Sequence, residues 1–279
     1  MSSMVESGIS IVLRCRESEF IDPTISSVLV SAGTNIPFEL VVVSKGIPHG
    51  RLLDIQSVKV FVSDARRIEA KKIGVEESSF ERILFLDSDQ LVPKDLMSKI
   101  IDRTESMLII PERTKKNNFV GRVLDSTRKA NETSMQKNVS ISTPVIPRYF
   151  DKILLKQAFK SMNDLVIRNV TETEDSLIFY ECLRISKSLG WVESVIYNDD
   201  PDLLTFVRKS YTYGRRNEGS VISGVLPNDY VKVIRQIQRR KLLNLGWLSP
   251  SIAISNILRG VPYAIGTVVS HLKQGDGNR

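Results

Sequence analysis

The sequence predicts an α/β fold: a mostly parallel central sheet flanked by helices, with a helical extension at the C-terminus. Three observations carry this. The runs Glu39–Val43 and Ile83–Leu86 are too apolar for half-exposed strands and match strands buried on both faces. Strand-like and helix-like segments follow one another as strand–helix–strand–strand–helix–strand, which predicts right-handed βαβ units and a parallel sheet. The last of these strands stops on Asp87-Ser88-Asp89, at the sheet edge where open α/β sheets bind ligands.

Each element has its own signal. Ile9–Leu13 reads as the first strand, with Arg14-Cys15-Arg16 at its carboxyl end. Asp22-Pro23-Thr24 opens a helix, Asp22 as cap and Pro23 in the first turn, with apolar residues at Ile25, Val28 and Leu29. Glu39–Val43 is the second strand, closed by Ser44-Lys45-Gly46, and Val58–Val62 the third. Ser63-Asp64 is expected to cap a helix from Ala65 to Glu77. After the fourth strand, Asp95–Ile101 reads as a short helix and Met107–Ile110 as a strand. Arg113–Ser140 is polar and lacks a clear period, and is expected to be a long loop or a pair of ordered excursions: a lid, a binding loop or a simple disordered insertion. Ile146–Phe150 returns to structure and leads into a helix through Leu154, Leu155 and Phe159. Thr171 or Thr173 caps a helix that carries Glu174-Asp175 in its first turn and stops at Gly190. Trp191–Tyr197 is expected as a final strand, and Leu203–Tyr213 as a helix closed by Gly214. Tyr230–Leu245 is basic and amphipathic.

The composition, 42% hydrophobic and 25% charged over 279 residues, is that of an ordinary globular protein with one large core or two modest ones. Cys15 and Cys182 form neither a disulfide framework nor a metal-binding spacing, which suits a reducing compartment. Met1–Ser7 lacks the basic and apolar regions of a signal peptide. The net charge of +7 is uneven: residues 205–279 hold twelve Lys/Arg against three Asp/Glu, a net +9, which leaves −2 for residues 1–204. The basic C-terminal quarter suits an anionic partner. Few aromatics interleave with its arginines, so nucleic acid is not expected. Trp247–Leu272 is apolar enough in length for a membrane span. Arg259 in mid-segment and the breaks at Pro250 and Pro262 favour instead helices lying in the membrane interface, anchored by Trp247 and Tyr263. Packing of the same helices back onto the domain is the alternative.

The chemistry-bearing residues cluster around the acidic pair. On an extended chain, residues i and i+2 point the same way, so Asp87 and Asp89 are expected to converge on one Mg²⁺ or Mn²⁺ that also binds phosphate oxygens. An ordinary polar turn is the plainer reading. No G-x-G-x-x-G follows the first strand, and no G-x-x-x-x-G-K-[ST] occurs. Arg14 and Arg16 stand in that place, either as phosphate or ribose contacts or as surface arginines. Glu174 and Asp175 are either capping carboxylates or a general base and its neighbour.

Taken together, Ile9–Leu13, Glu39–Val43, Ala70-Lys71-Lys72-Ile73-Gly74, Phe85-Leu86-Asp87-Ser88-Asp89, and Glu174-Asp175 followed by Gly190 resemble a family-2 glycosyltransferase of the GT-A fold over residues 9–190. The chain departs from that pattern at Ser44-Lys45, where the family usually has Asp, at Arg14-Cys15-Arg16, and at Lys71-Lys72, where it has Arg-Asn. The resemblance implies a catalytic domain over 1–204, with a nucleotide-sugar half at 8–110 and an acceptor half at 111–204, followed by a helical extension over 205–279. It implies an inverting transfer of a sugar from a nucleotide-diphospho-sugar donor to a hydroxyl of a glycan or lipid-linked acceptor. Asp87 and Asp89 would hold Mn²⁺ or Mg²⁺. Arg14, Arg16, Ser44, Lys71, Asp87, Arg215 and Arg216 would contact the donor. Asp175 would be the base, assisted by Glu174. Peripheral contact of 230–272 with the cytoplasmic membrane face is expected. A nucleotidyltransferase of related fold, or a non-catalytic nucleotide or nucleic-acid binder, are the competing readings.

Overall fold

The structure is a computed structural model that describes residues 8–16, 19–135, 145–170, 173–222, 226–243 and 250–276. Thr171 and Trp247 lie outside these residues. In chain order the elements are β1 (Ile9–Cys15), α1 (Asp22–Ala32), β2 (Phe38–Ser44), β3 (Val58–Val62), α2 (Arg67–Glu76), β4 (Arg82–Asp87), β5 (Gln90–Leu91), α3 (Leu96–Ile100), β6 (Met107–Ile109), β7 (Glu112–Thr114) and α4 (Phe119–Met135). They continue with β8 (Tyr149–Asp151), α5 (Lys152–Ser161), α6 (Asp164–Asn169), α7 (Glu174–Ile185), β9 (Leu189–Trp191), β10 (Ile196–Asn198), α8 (Leu203–Ile222), α9 (Asn228–Leu243) and α10 (Pro250–Asp276).

Two compact units interleave along the chain. The first comprises residues 1–113, 146–162 and 178–199, and the second residues 114–145, 163–177 and 200–279.

The first unit is built on a seven-stranded sheet of order β3-β2-β1-β4-β8-β6-β9. β1 pairs parallel to β2 and β4, and β2 parallel to β3, so the mostly parallel α/β expectation holds. β8 is the exception and runs antiparallel to both β4 and β6. Ile9, Ile11, Leu13, Leu84 and Leu86 face a core shared with Ile25, Val28, Leu96 and Ile100 from α1 and α3. Burial of each such side chain contributes roughly 1.5–3 kcal/mol. The opposite face is closed by α2. Gly74 lets that helix sit on the sheet, because a Cβ there would lie 2.3 Å from Val12 Cγ1. A second sheet, of order β5-β10-β7, flanks the loop after β4.

Several sequence expectations are corrected. Asp22 does not cap α1, whose N-cap residue is Ile21 with no side-chain cap. Its carboxylate instead accepts hydrogen bonds from the backbone N–H groups of Arg51 and Leu52 at 2.9 and 3.1 Å. Of the two readings of the polar stretch after Arg113, a long loop or ordered excursions, the structure shows order: it contains α4, begun by Asn118 whose Oδ1 accepts from Gly121 N–H at 2.7 Å. Among the described residues its buried aliphatic side chains are Val120, Val123 and Leu124, too few to stand out among Lys, Asn and Thr. α7 ends at Ile185, and Gly190 lies inside β9. The expected Trp191–Tyr197 strand is two strands in two sheets.

In the second unit, Gly214 does not stop a helix but sits within the 20-residue α8. Its role is close approach: a Cβ would meet the Tyr263 carbonyl oxygen at 2.0 Å, and one on Gly266 would meet the Tyr211 carbonyl oxygen at 2.2 Å. The α8 and α10 backbones therefore touch at two glycines. Val120 and Leu124 of α4 pack with Phe206 of α8 and Leu258 of α10. Arg128 of α4 clamps Asp200 through two hydrogen bonds of 2.7 and 2.8 Å. No helix among the described residues is long and apolar enough to cross a membrane.

Candidate active site

The sequence of β4 fixes where the acidic pair lies. Ile83, Phe85 and Asp87 alternate onto one face of the sheet, and Leu84 and Leu86 onto the other. The chain leaves the sheet at Asp87 and reverses through Ser88-Asp89 into β5. Asp89 thus sits in the turn rather than on an extended strand, so the i, i+2 alternation expected to bring it alongside Asp87 does not apply. Asp87 is half-exposed and Asp89 exposed.

The turn is fastened from both sides. The Ser88 carbonyl accepts from Thr24 Oγ1 at 2.9 Å, and Ser88 Oγ donates to Glu19 at 2.6 Å. Val92 N–H donates to Ser27 Oγ at 3.0 Å. The polar residues at the start of α1 therefore dock the turn, while Ile25 and Val28 on the same helix enter the core. Asp199 N–H donates to the Asp89 carbonyl at 2.9 Å.

A closed circuit of polar side chains lies beneath the turn. Arg148 approaches Asp87 Oδ2 to 3.3 Å with Nη1, and its Nη2 and Nε reach Glu112 Oε1 at 2.7 and 2.9 Å. Glu112 Oε2 accepts from Asn198 Nδ2 at 3.0 Å, Asn198 Oδ1 from Gln90 Nε2 at 3.0 Å, and Gln90 Oε1 from the Asp87 backbone N–H at 2.9 Å. The circuit begins and ends at Asp87. Arg148 is itself held between strands, its N–H donating to Leu108 O and its carbonyl accepting from Phe85 N–H.

The predicted residues divide between the units. Arg14, Arg16, Ser44, Lys71, Asp87 and Asp89 belong to the first, and Glu174, Asp175, Arg215 and Arg216 to the second. Arg14 stands in register with Asp87 across the β1–β4 pair, on the same face. Arg16 is exposed, and its backbone N–H donates to Glu19 at 2.9 Å. Ser44 is buried opposite Cys15. Burial pushes the Cys15 thiol pKa up, against the lowering effect of Ser44. Lys71 is 4% exposed, and its ammonium lies 5.2 Å from the Phe85 ring centroid. Its place is under the sheet, on the face that carries Asp87.

Glu174 and Asp175 open α7 as expected, Glu174 buried and Asp175 half-buried. The preceding Thr173 has φ 65°, a left-handed conformation that a β-branched residue adopts only under constraint. Its carbonyl accepts from Leu177 N–H at 3.0 Å and so starts the helix. Arg215 is exposed on α8 and Arg216 follows it in the same helix.

Among the described residues, no group of three or more His, Cys, Asp or Glu is gathered to hold a metal. Two carboxylates on one turn do fit Mg²⁺ or Mn²⁺, which use one or two protein carboxylates and complete the shell with phosphate oxygens and water. A dedicated all-protein cage does not fit. Sequence reasoning missed Arg148, Glu112, Gln90 and Asn198. Their only signal was the Pro147-Arg148 step at the mouth of a short apolar run, which looks like any strand start.

No protein-family model and no curated protein sequence matches the chain. Solved structures do. TarS from S. aureus superposes with a TM-score of 0.52 at 15% identity, over 88% of this chain and 44% of that one. The TarS 1–349 fragment in complex with UDP gives 0.51 at 14% identity, over 96% and 92%. The mannosyltransferase PcManGT from Pyrobaculum calidifontis, in complex with GDP-Man and Mn²⁺, gives 0.53 at 14% identity, over 97% and 79%. The chain has the fold of these glycosyltransferases. It spans less than half of the full TarS structure.

Proposed function

We propose that this chain is an inverting, metal-dependent glycosyltransferase of family 2 with the GT-A fold. In this reading it moves a hexosyl group from a nucleotide-diphospho-sugar to an acceptor hydroxyl. The observation that carries the reading is the Asp87-Ser88-Asp89 turn at the carboxyl end of a central parallel strand. The nucleotide and Mn²⁺ bound by proteins of the same fold support it.

The reaction follows from charge. Asp89 and Asp87 would hold Mn²⁺ or Mg²⁺, which would supply positive charge for the departing diphosphate. Arg14 and Arg16, with Arg215 and Arg216, add positive charge for the same anion. Ser44 and Lys71 complete the donor side. Asp175 takes the proton of the acceptor hydroxyl, whose oxygen forms the new bond to the anomeric carbon. The bond to the diphosphate oxygen breaks as that bond forms, so the configuration inverts. Glu174 orients Asp175 or the acceptor. The basic 205–279 segment and the apolar exposure of α10 support a lipid-linked acceptor at the cytoplasmic membrane face, reached through residues 230–272.

The test is sugar transfer, or donor hydrolysis, with and without Mn²⁺ across UDP-, GDP- and dTDP-sugars. Asp175→Asn is expected to abolish transfer and to leave Mn²⁺-dependent nucleotide binding within about twofold of wild type, since an amide cannot serve as a base. Transfer at the wild-type rate by that variant rules out the assigned base.

A further inference from the structure

The circuit at the acidic turn contains one cation, and it lies against the first of the two carboxylates. We infer that Arg148 is a positioning residue that makes metal binding depend on the donor's diphosphate; the inference rests on the donor-site reading above.

Three features of Arg148 carry this. Its side chain is 11% exposed, against 45% for Asp87, so its charge is only partly screened by water. It cannot swing away cheaply, because Glu112 holds two of its nitrogens and its backbone is bonded on both sides to β4 and β6. And its Nη1 is 3.3 Å from Asp87 Oδ2, so it already supplies a positive charge to a carboxylate that a metal would use. A divalent ion arriving alone meets a half-neutralised acidic pair and a fixed guanidinium nearby. An ion arriving with a diphosphate brings its own negative charge and does not meet that penalty. The remaining members of the circuit have a geometric part. Glu112, Asn198 and Gln90 carry the constraint back to the Asp87 backbone N–H, so guanidinium and carboxylate keep one relative position.

This arrangement predicts synergy: weak Mn²⁺ binding to the free protein, and much tighter binding with a nucleoside diphosphate. Arg148 is also distinct from a general base or a direct metal ligand. Its removal should change an equilibrium, the affinity for the free ion, and do so in the direction of tighter binding. A merely structural residue would weaken or abolish binding when removed.

The experiment titrates the full chain with Mn²⁺, followed by the EPR signal of the free ion, with and without UDP or GDP. Melting temperatures confirm that each variant is folded. Arg148→Gln is expected to bind Mn²⁺ alone about 3- to 10-fold more tightly than wild type, the range for removing one unit charge several ångströms from a divalent ion in a partly solvated site. The tightening that the nucleotide confers should shrink by the same factor. Arg148→Lys, which keeps the charge, should stay near wild type. Unchanged or weaker Mn²⁺ affinity in Arg148→Gln overturns the inference, as does a lysine variant that behaves like the glutamine one. A wild-type chain that binds a nucleoside diphosphate with Mn²⁺ while Arg148→Gln shows no change removes the role of Arg148 alone. A wild-type chain that binds neither removes the donor-site reading and this inference together.

Discussion

Glu39 illustrates how a single buried carboxylate ties the sheet to its surroundings. It is 5% exposed. It accepts from Ser10 Oγ at 2.6 Å, from Lys59 Nζ at 2.6 Å, and from the backbone and hydroxyl of Ser79. Burial alone would raise its pKa, but these donors, Lys59 foremost, outweigh burial and hold it below the usual glutamate value. A depressed folded-state pKa contributes stability above the unfolded pKa and loses it as pH falls through the folded one. Glu39→Gln is therefore expected to cost about 1–3 kcal/mol at neutral pH. The gap in melting temperature between wild type and variant should narrow as pH drops below about 4. A gap that widens on acidification would contradict the assignment. At the same scale, the sequence made Asp87, Asp89, Glu174 and Asp175 visible, because acidic residues at a strand end or helix start leave a local pattern. Arg148 and Glu112 were invisible, because their pairing joins positions 36 residues apart and neither carries a local period.

At the scale of elements, β1, β2, β4 and α1 were legible because doubly buried strands and proline-opened helices announce themselves in composition. α4 was not, since its buried set includes Thr127 and Glu132 beside three aliphatic residues. Gly214 and Gly190 were read as stops because glycine ends helices more often than it packs them. The α8–α10 crossing shows the other use. Gly214→Ala is expected to destabilise the helix pair by about 1–3 kcal/mol, the usual range for an overpacked contact. Gly260 lies on the same α10 with nothing within 4 Å of its would-be Cβ. Gly260→Ala should be neutral or stabilise by up to about 1 kcal/mol through helix propensity. Thermal melts of the two variants check the contrast. Equal effects would mean that the close approach is not limiting.

At the scale of the whole molecule, charge and exposed apolar surface concentrate in the same stretch of chain. Ile254, Ile257, Val261, Ile265 and Val268 of α10 are each at least 36% exposed. Their spacing of three and four residues puts them on one helix face, apart from the face bearing Ser255 and Gly266. An anionic bilayer is the proposed partner, since a second copy would set one +9 segment against another. Deleting residues 247–279 is a poor test, because α10 is packed backbone to backbone on α8. Ile257→Glu with Ile265→Glu alters only the exposed stripe. We expect wild type to sediment with phosphatidylserine vesicles at low salt and to be released as salt rises. The double variant should lose at least tenfold in partition, since each buried apolar side chain contributes about 1.5–3 kcal/mol. Unchanged partition of the double variant would exclude this face.

The reversed strand β8 has a consequence for how such a protein can diversify. In an all-parallel sheet, only segments leaving a strand reach the carboxyl rim. Because β8 opposes β4, with Leu84 beside Tyr149, the segment that enters β8 delivers Arg148 to that same rim. Changes upstream of residue 148 can thus shift the guanidinium beside Asp87 while every departing loop of the parallel strands stays as it was.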